Sequence, residues 1–216
     1  MINPHDLLQA ARAEAIPEGW SGLWFIRKAK TATGEAVHRE DGRRFTVPPG
    51  VYTHLFRLTD STLHLEPPGE VVMEDTPNEL RTHLSFMLRA RGKVLVTGLG
   101  LGCVTRGLLA NPNVEHITVI ENSKDVLKLV QPYMPATDRL EIIYADAFEW
   151  AARNKKAFDF AWHDLWTNRD AGEPWLDLWH GQLIANCRAF CKHQGAWKFD
   201  RTIRRQLERT GLYLIK

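Results

Sequence analysis

The sequence predicts an α/β fold: a Rossmann-like open, mostly parallel sheet with helices on both faces, preceded by a small β-rich N-terminal segment. Three observations carry that reading. From Thr76 onward, short apolar runs alternate with helical patterns, the signature of repeated β–α units. The runs themselves, such as Val94-Leu95-Val96 and Ile117-Thr118-Val119-Ile120, do not alternate with polar residues, as expected of strands covered on both faces. Before about residue 75 the pattern is different. Short β-type runs are broken by Pro48-Pro49-Gly50 and Pro67-Pro68-Gly69, which is turn chemistry.

Taken in order, residues 1–75 read as a small antiparallel sheet with strands at Leu23–Lys28, Val51–Leu58 and Leu63–Leu65. Residues 76–216 read as the main domain. Thr76-Pro77-Asn78-Glu79 starts its first helix: Thr can cap, Pro suits the first helical position, and Glu completes a capping box. That helix is expected to run to about Arg91 with Leu80, Leu84, Met87 and Leu88 buried. Strands follow at Lys93–Thr97, His116–Glu121, Leu140–Ala145 and Phe158–Asp164. Between and after them, helices are expected at Cys103–Ala110, Lys124–Tyr133, Ala147–Asn154 and Leu176–Cys191. A fifth strand is expected at Gly195–Phe199, a helix at Thr202–Thr210, and a last strand at Leu212–Ile215.

Composition narrows the function classes. The 216 residues are 44% hydrophobic and 25% charged, ordinary for a soluble domain with a sizeable core. No apolar run approaches the ~18 to 20 residues of a membrane helix, and the N-terminus lacks the basic flank and apolar stretch of a signal peptide. The three cysteines include no CxxC spacing, so a reducing cytoplasm fits. Cys187 and Cys191 read as a small apolar stripe one turn apart on a helix. The net charge of +2 is too mild to imply a nucleic-acid protein by itself, which makes nucleic acid a minority expectation, and Arg201, Arg204, Arg205 and Arg209 read as a solvated helix surface. The nine histidines are scattered without ligand spacing, so no metal is expected. A small-molecule substrate is the expected partner, and a homodimer is compatible with the sequence.

Ligands of such sheets sit beyond the carboxyl ends of the strands, and the sequence concentrates unusual residues there. The first strand runs through Thr97 into Gly98-Leu99-Gly100-Leu101-Gly102. A tight turn, and close approach of a ligand to the backbone, require glycine. The second strand ends in Glu121-Asn122, Glu121 lying nineteen residues after Gly102. A carboxylate there can accept hydrogen bonds from both hydroxyls of a ribose. The third strand is followed by Asp146-Ala147-Phe148. Asp146 can accept from an adenine amino group, with Phe148 flanking the ring, or it can simply cap the next helix. The fourth strand ends in His163-Asp164. Adenosine-type ligand binding is therefore assigned to Thr97, Gly98, Leu99, Gly100, Gly102, Glu121, Asn122, Asp146, Ala147 and Asp164.

The glycine pattern is GxGxG, with Cys103 where a dinucleotide fingerprint has its third Gly. With the acidic second strand end, it resembles a class I S-adenosylmethionine-dependent methyltransferase. It departs from that pattern at Thr97, where Asp or Glu is common. S-adenosylmethionine is thus the expected cofactor, with S-adenosylhomocysteine as product.

Within that superfamily the chain looks like the spermidine synthase group over residues 70 to about 170. Glu79 and His83 match the Glu and His of that group's Tyr-His-Glu-x-x-x-His segment. Val119-Ile120-Glu121 resembles its Val-Glu-Ile-Asp stretch, and the strand at Phe158–Asp164 resembles the one ending in its Asp-Ser-Ser-Asp-Pro motif. The resemblance places Asp164 at the catalytic-base position and Glu79 and His83 in the substrate site. Other positions depart from it. Leu101 stands where the group's loop Asp would hold the propylamine, Thr167 replaces the second Asp of the catalytic motif, and Pro77 replaces the Tyr.

A cationic diamine calls for carboxylates, so these departures favour small-molecule methyl transfer over aminopropyl transfer. A nucleotide-binding module without turnover is a third reading, since fold does not fix function. Methyl transfer needs alignment of an acceptor and, for OH or NH acceptors, removal of a proton. Asp164 is the first candidate base and His163 the second, although strand alternation could turn His163 into the sheet. Among Trp162, Trp166, Trp175 and Trp179, the loop residue Trp166 is expected to line the acceptor pocket, and the helical pair Trp175 and Trp179 to pack.

Overall fold

The apolar runs become adjacent strands in the computed structural model, which describes residues 2–32, 36–38, 44–59, 69–165 and 174–197. The elements are α1 (Pro4–Ala10), β1 (Gly19–Ser21), β2 (Trp24–Thr31), β3 (Ala36–His38), β4 (Arg44–Thr46), β5 (Gly50–Arg57) and β6 (Glu70–Glu74). They continue as α2 (Pro77–Arg89), β7 (Gly92–Thr97), α3 (Cys103–Ala110), β8 (Val114–Glu121), α4 (Lys124–Val130) and β9 (Leu140–Tyr144). The last are α5 (Ala147–Arg153), β10 (Phe158–His163), α6 (Pro174–Cys187) and β11 (Cys191–Ala196). The expected strands at Leu63–Leu65 and Leu212–Ile215, the helix at Thr202–Thr210 with its arginines, and Trp166 lie outside the described residues.

The main sheet is parallel, in the order β11-β10-β7-β8-β9. The chain winds outward from β7 to β9 and then returns to β10 on the other side, so the order reverses between β7 and β10, where such sheets bind ligands. Successive strand residues serve opposite faces. Val94 and Val96 join the core that includes Leu80, Met87 and Leu108, whereas Leu95 joins the one formed with Ala147, Ala151 and Leu183. Burying each such Val or Leu stabilises the fold by roughly 1.5–3 kcal/mol, and the polar Thr118 in these runs is buried with its hydroxyl donating to Glu141.

A second, antiparallel sheet has the order β1-β2-β5-β6. Its β6 strand is a finding, as is α1, which Asn3 caps from its side chain and which packs Leu7 into the first core. That core is continuous across residue 75, since Ile26 and Leu55 share it with Leu80 and Val94. Asp75 is fully buried at this crossing and accepts from the amides of Ala13 and Thr53 and from Arg12 Nε, at 2.7–3.0 Å. A carboxylate so fully bonded fixes where α2 begins.

Helix α2 starts where expected, with Thr76 Oγ1 accepting from the Glu79 amide, but the Glu79 carboxylate accepts from Trp197 Nε1 and the buried face is rotated. Leu80, His83, Phe86 and Met87 are buried, while Leu84 and Leu88 are only partly so. The cause is β10, whose Trp162 lies 4.9 Å from the Phe86 ring and draws that side of the helix inward. The fifth strand begins earlier than expected: Cys191 pairs with Phe158 because α6 ends at Cys187. Cys187 and Cys191 therefore fall on different elements, not on one helical stripe.

Candidate functional site

Backbone hydrogen bonds hold the strand ends of the main sheet in line. Gly98 donates to the Ile120 carbonyl at 2.8 Å, Asp164 to Thr97 at 2.9 Å, Ala145 to Glu121 at 3.0 Å, and Trp197 to His163 at 2.9 Å. The side chains that follow those ends open on one cavity of about 340 Å³, within the size range of small-molecule sites. Gly98, Leu99, Gly100, Glu121, Asn122, Asp146, Ala147, Asp164 and Glu79 all line it. The antiparallel sheet closes the other wall with Trp24, Leu55, Val72 and Met73.

At one end the glycine loop is bound to Glu121. Its Oε2 accepts from the Leu99 amide and its Oε1 from the Ser123 amide, both at 2.8 Å. Burial raises the Glu121 pKa, against the pull of the surrounding amides of Leu99, Ser123, Asn122 and Gly100. A carboxylate offers about four lone-pair sites, and the Leu99 and Ser123 amides take one on each oxygen. The glycines are demanded by the protein itself. Gly98 has φ 92, and a Cβ there would fall on the Asp164 carbonyl oxygen, while at Gly100, φ 51, it would meet the Met73 sulfur. Asp146 caps α5, with Oδ1 accepting from the amides of Phe148 and Glu149 at 2.9 and 3.0 Å. The cap reading is thus realised, and the residue lines the cavity as well. Beside it, half-exposed Trp179 meets the Phe148 ring edge-to-face at 5.2 Å. Trp179 and Trp197 both line the cavity. The sequence reading put Trp179 in packing and missed Trp197.

At the other end stand Glu79 and Asp164. Glu79 Oε1 accepts from Trp197 Nε1 at 3.2 Å and lies 3.5 Å from His83 Nε2; Asp164 Oδ2 lies 3.9 Å from the same nitrogen. The Asp164 side chain retains 17% exposure, against 1% for His83. Burial pushes the Asp164 carboxyl up to about 6, with Glu79 adding to the rise and His83 opposing it. A carboxylate with that pKa is a better proton acceptor than an ordinary one.

Four assigned residues take other places. His163 is fully buried, its Nδ1 3.1 Å from Thr97 Oγ1 and its Nε2 3.0 Å from Gln194 Oε1. Burial lowers its pKa to about 4, so its ring joins neighbouring strands as a neutral group and does not face the cavity. Thr97 is its partner in that contact. Gly102, with φ 74, begins α3 behind the loop. His83 lies behind the two carboxylates and does not line the cavity. Leu101, at the position the resemblance gives to an Asp, is buried in the first core.

Residues 74–197, more than half of the chain, match the spermine/spermidine synthase domain. A polyamine aminopropyltransferase from Agathobacter rectalis is 28% identical over 107 residues, covering 44% of this chain and 38% of that protein. A crystal structure of spermidine synthase in complex with the transition-state analogue AdoDATO matches at a TM-score of 0.54 and 18% identity, covering 90% of this chain and 64% of the other. Spermidine synthase from Thermotoga maritima matches at a TM-score of 0.47 and 18% identity, over 82% of this chain and 52% of that one. The alignments thus span less than two thirds of each relative. The parallel five-stranded sheet, the strand-end cavity and the matched segment agree, and the chain belongs to the spermine/spermidine synthase domain family.

Proposed function

We propose that this chain is an aminopropyltransferase-type enzyme that moves an alkyl group from an S-adenosyl donor to a primary amine. The observation that carries it is the pairing of two unlike ends in one cavity, Glu121 with the glycine loop at one and Glu79 with Asp164 at the other.

The residues fit an S-adenosyl donor: the Glu121 carboxylate lines the cavity where it can accept from ribose hydroxyls, and Asp146, Phe148 and Trp179 frame a place for adenine. The donor's sulfonium supplies an electrophilic carbon, whose bond to sulfur breaks with the electron pair going to sulfur as the amine nitrogen bonds to it. Glu79 and Asp164 attract the ammonium form of the acceptor. Asp164 then takes one proton from it, exposing the nitrogen lone pair, and passes that proton to solvent. The apolar wall of Trp24, Val72 and Met73 lines the cavity and limits water there.

The family match and the AdoDATO-bound relative support the decarboxylated donor and aminopropyl transfer. One observation favours a second reading, methyl transfer from S-adenosylmethionine: Leu101 replaces a loop carboxylate that would repel the carboxylate of the intact donor. Incubation with each donor and a panel of amines, followed by mass spectrometry, separates them. Aminopropylated amine with methylthioadenosine supports the first reading, and methylated product with S-adenosylhomocysteine the second. No product from either donor removes both.

A further inference from the structure

The acceptor end contains a group that the proposed transfer does not use. His83 is buried by α2 and β10, and neither ring nitrogen has a hydrogen-bond partner among the described residues. Trp162 meets its ring edge-on at 5.7 Å. Two carboxylates lie between it and the cavity, Glu79 from its own helix at 3.5 Å and Asp164 from the end of β10 at 3.9 Å. On α3, Cys103 feels the Glu79 charge, and burial holds its thiol uncharged. A neutral imidazole would leave two neighbouring carboxylates without a cation, and a buried, unpaired charge is costly.

We propose that His83 is the internal counter-ion of the acceptor site: its imidazolium balances Glu79 and Asp164 until an ammonium binds, and then releases its proton. The inference rests on the proposed amine site. Burial disfavours the imidazolium, but Glu79 and Asp164 outweigh it, so the ring's pKa stands above its ordinary value. An arriving ammonium supplies the same charge from the cavity side, and the two cations repel across the carboxylate pair. Up to one proton passes to solvent for each amine bound, and imidazolium becomes imidazole. His83 is thus a positioning residue that couples amine affinity to pH. Affinity rises by up to tenfold per pH unit below the ring's pKa.

The test is calorimetric titration of the full chain with n-butylamine, with methylthioadenosine present, in phosphate and in HEPES at neutral pH. The difference in heat between the two buffers counts protons. Net release is expected from the wild type and none from His83→Gln. No release from the wild type would overturn the proposal, as would release that persists in His83→Gln, which would belong to Asp164. Absence of n-butylamine binding at millimolar concentration would also overturn it. If His83→Gln does not fold, the His83 ring signal in the wild-type NMR spectrum decides. A shift from imidazolium to imidazole on adding amine supports the proposal, and a fixed signal refutes it. Proton release without alkyl transfer would remove the proposed reaction alone, while transfer without proton release would remove only this coupling.

Discussion

The two ends of the cavity hold their carboxylates in opposite ways. Glu121 and Asp146 are bound by backbone amides at 2.8–3.0 Å, so their positions are settled before a ligand arrives. Glu79 and Asp164 instead surround a buried imidazole at 3.5 and 3.9 Å, a charge balance that an entering cation can change. The first end suits the neutral, hydrogen-bonding nucleoside proposed for it, because carboxylates already in place keep the cost of ordering on binding low. The other end is built to respond to charge.

Removing charge at the responsive end is expected to act on turnover and barely on donor binding. Asp164→Asn keeps the shape of the side chain and abolishes proton acceptance, so kcat should fall by about 100-fold or more, with donor affinity within about twofold by calorimetry. Equal losses in both would place Asp164 at the donor end and erase the contrast. At the prebuilt end the effect is smaller and of the other kind. Glu121→Ala should weaken S-adenosyl ligand binding about tenfold, or about 1.4 kcal/mol, and speed hydrogen exchange at the Leu99 amide. Unchanged affinity would remove Glu121 from the site.

The pH profile sharpens the same contrast. Asp164 accepts a proton only when ionised, and its pKa is raised to about 6. The free-enzyme value governs kcat/KM, so kcat/KM for the amine should fall at least about tenfold per unit as the pH drops below it. A profile flat down to pH ~4.5 would mean that an ordinary, solvated carboxylate or no carboxylate at all does the work. The smallest effect is expected at Trp179, half-exposed against Phe148. Trp179→Ala should weaken donor binding about threefold, and donor binding should change its fluorescence, in line with the modest worth of an aromatic edge contact.

The Glu121 end was the more legible in the sequence, for a physical reason. Its residues follow the ends of strands whose unbroken apolar runs mark them as buried parallel strands, so position along the chain gave position in space. Strand alternation also carried a warning for His163, whose ring lies between Thr97 and Gln194. The end with Glu79 and Asp164 depends on which face of α2 turns inward. The i, i+3, i+4 pattern offered Leu84 and Leu88, while packing against Trp162 chose His83 and Phe86. Trp24, Met73, Trp179 and Trp197 reach the cavity through contacts between elements distant in sequence, and local periodicity cannot specify such contacts. Helix α1 did carry a local signal, Asn3 followed by Pro4, at a terminus read only for targeting features.

Calorimetric titration of the wild-type chain with methylthioadenosine and with S-adenosylhomocysteine tests the central claim most directly, because any S-adenosyl transfer must leave one such thioether in the Glu121 end. Binding of at least one with Kd in the range of about 1–100 μM, lost or reduced about tenfold in Glu121→Ala, is the expected result. Failure of both to bind at millimolar concentration would mean that the glycine loop and Glu121 serve only to brace each other, and would contradict the account.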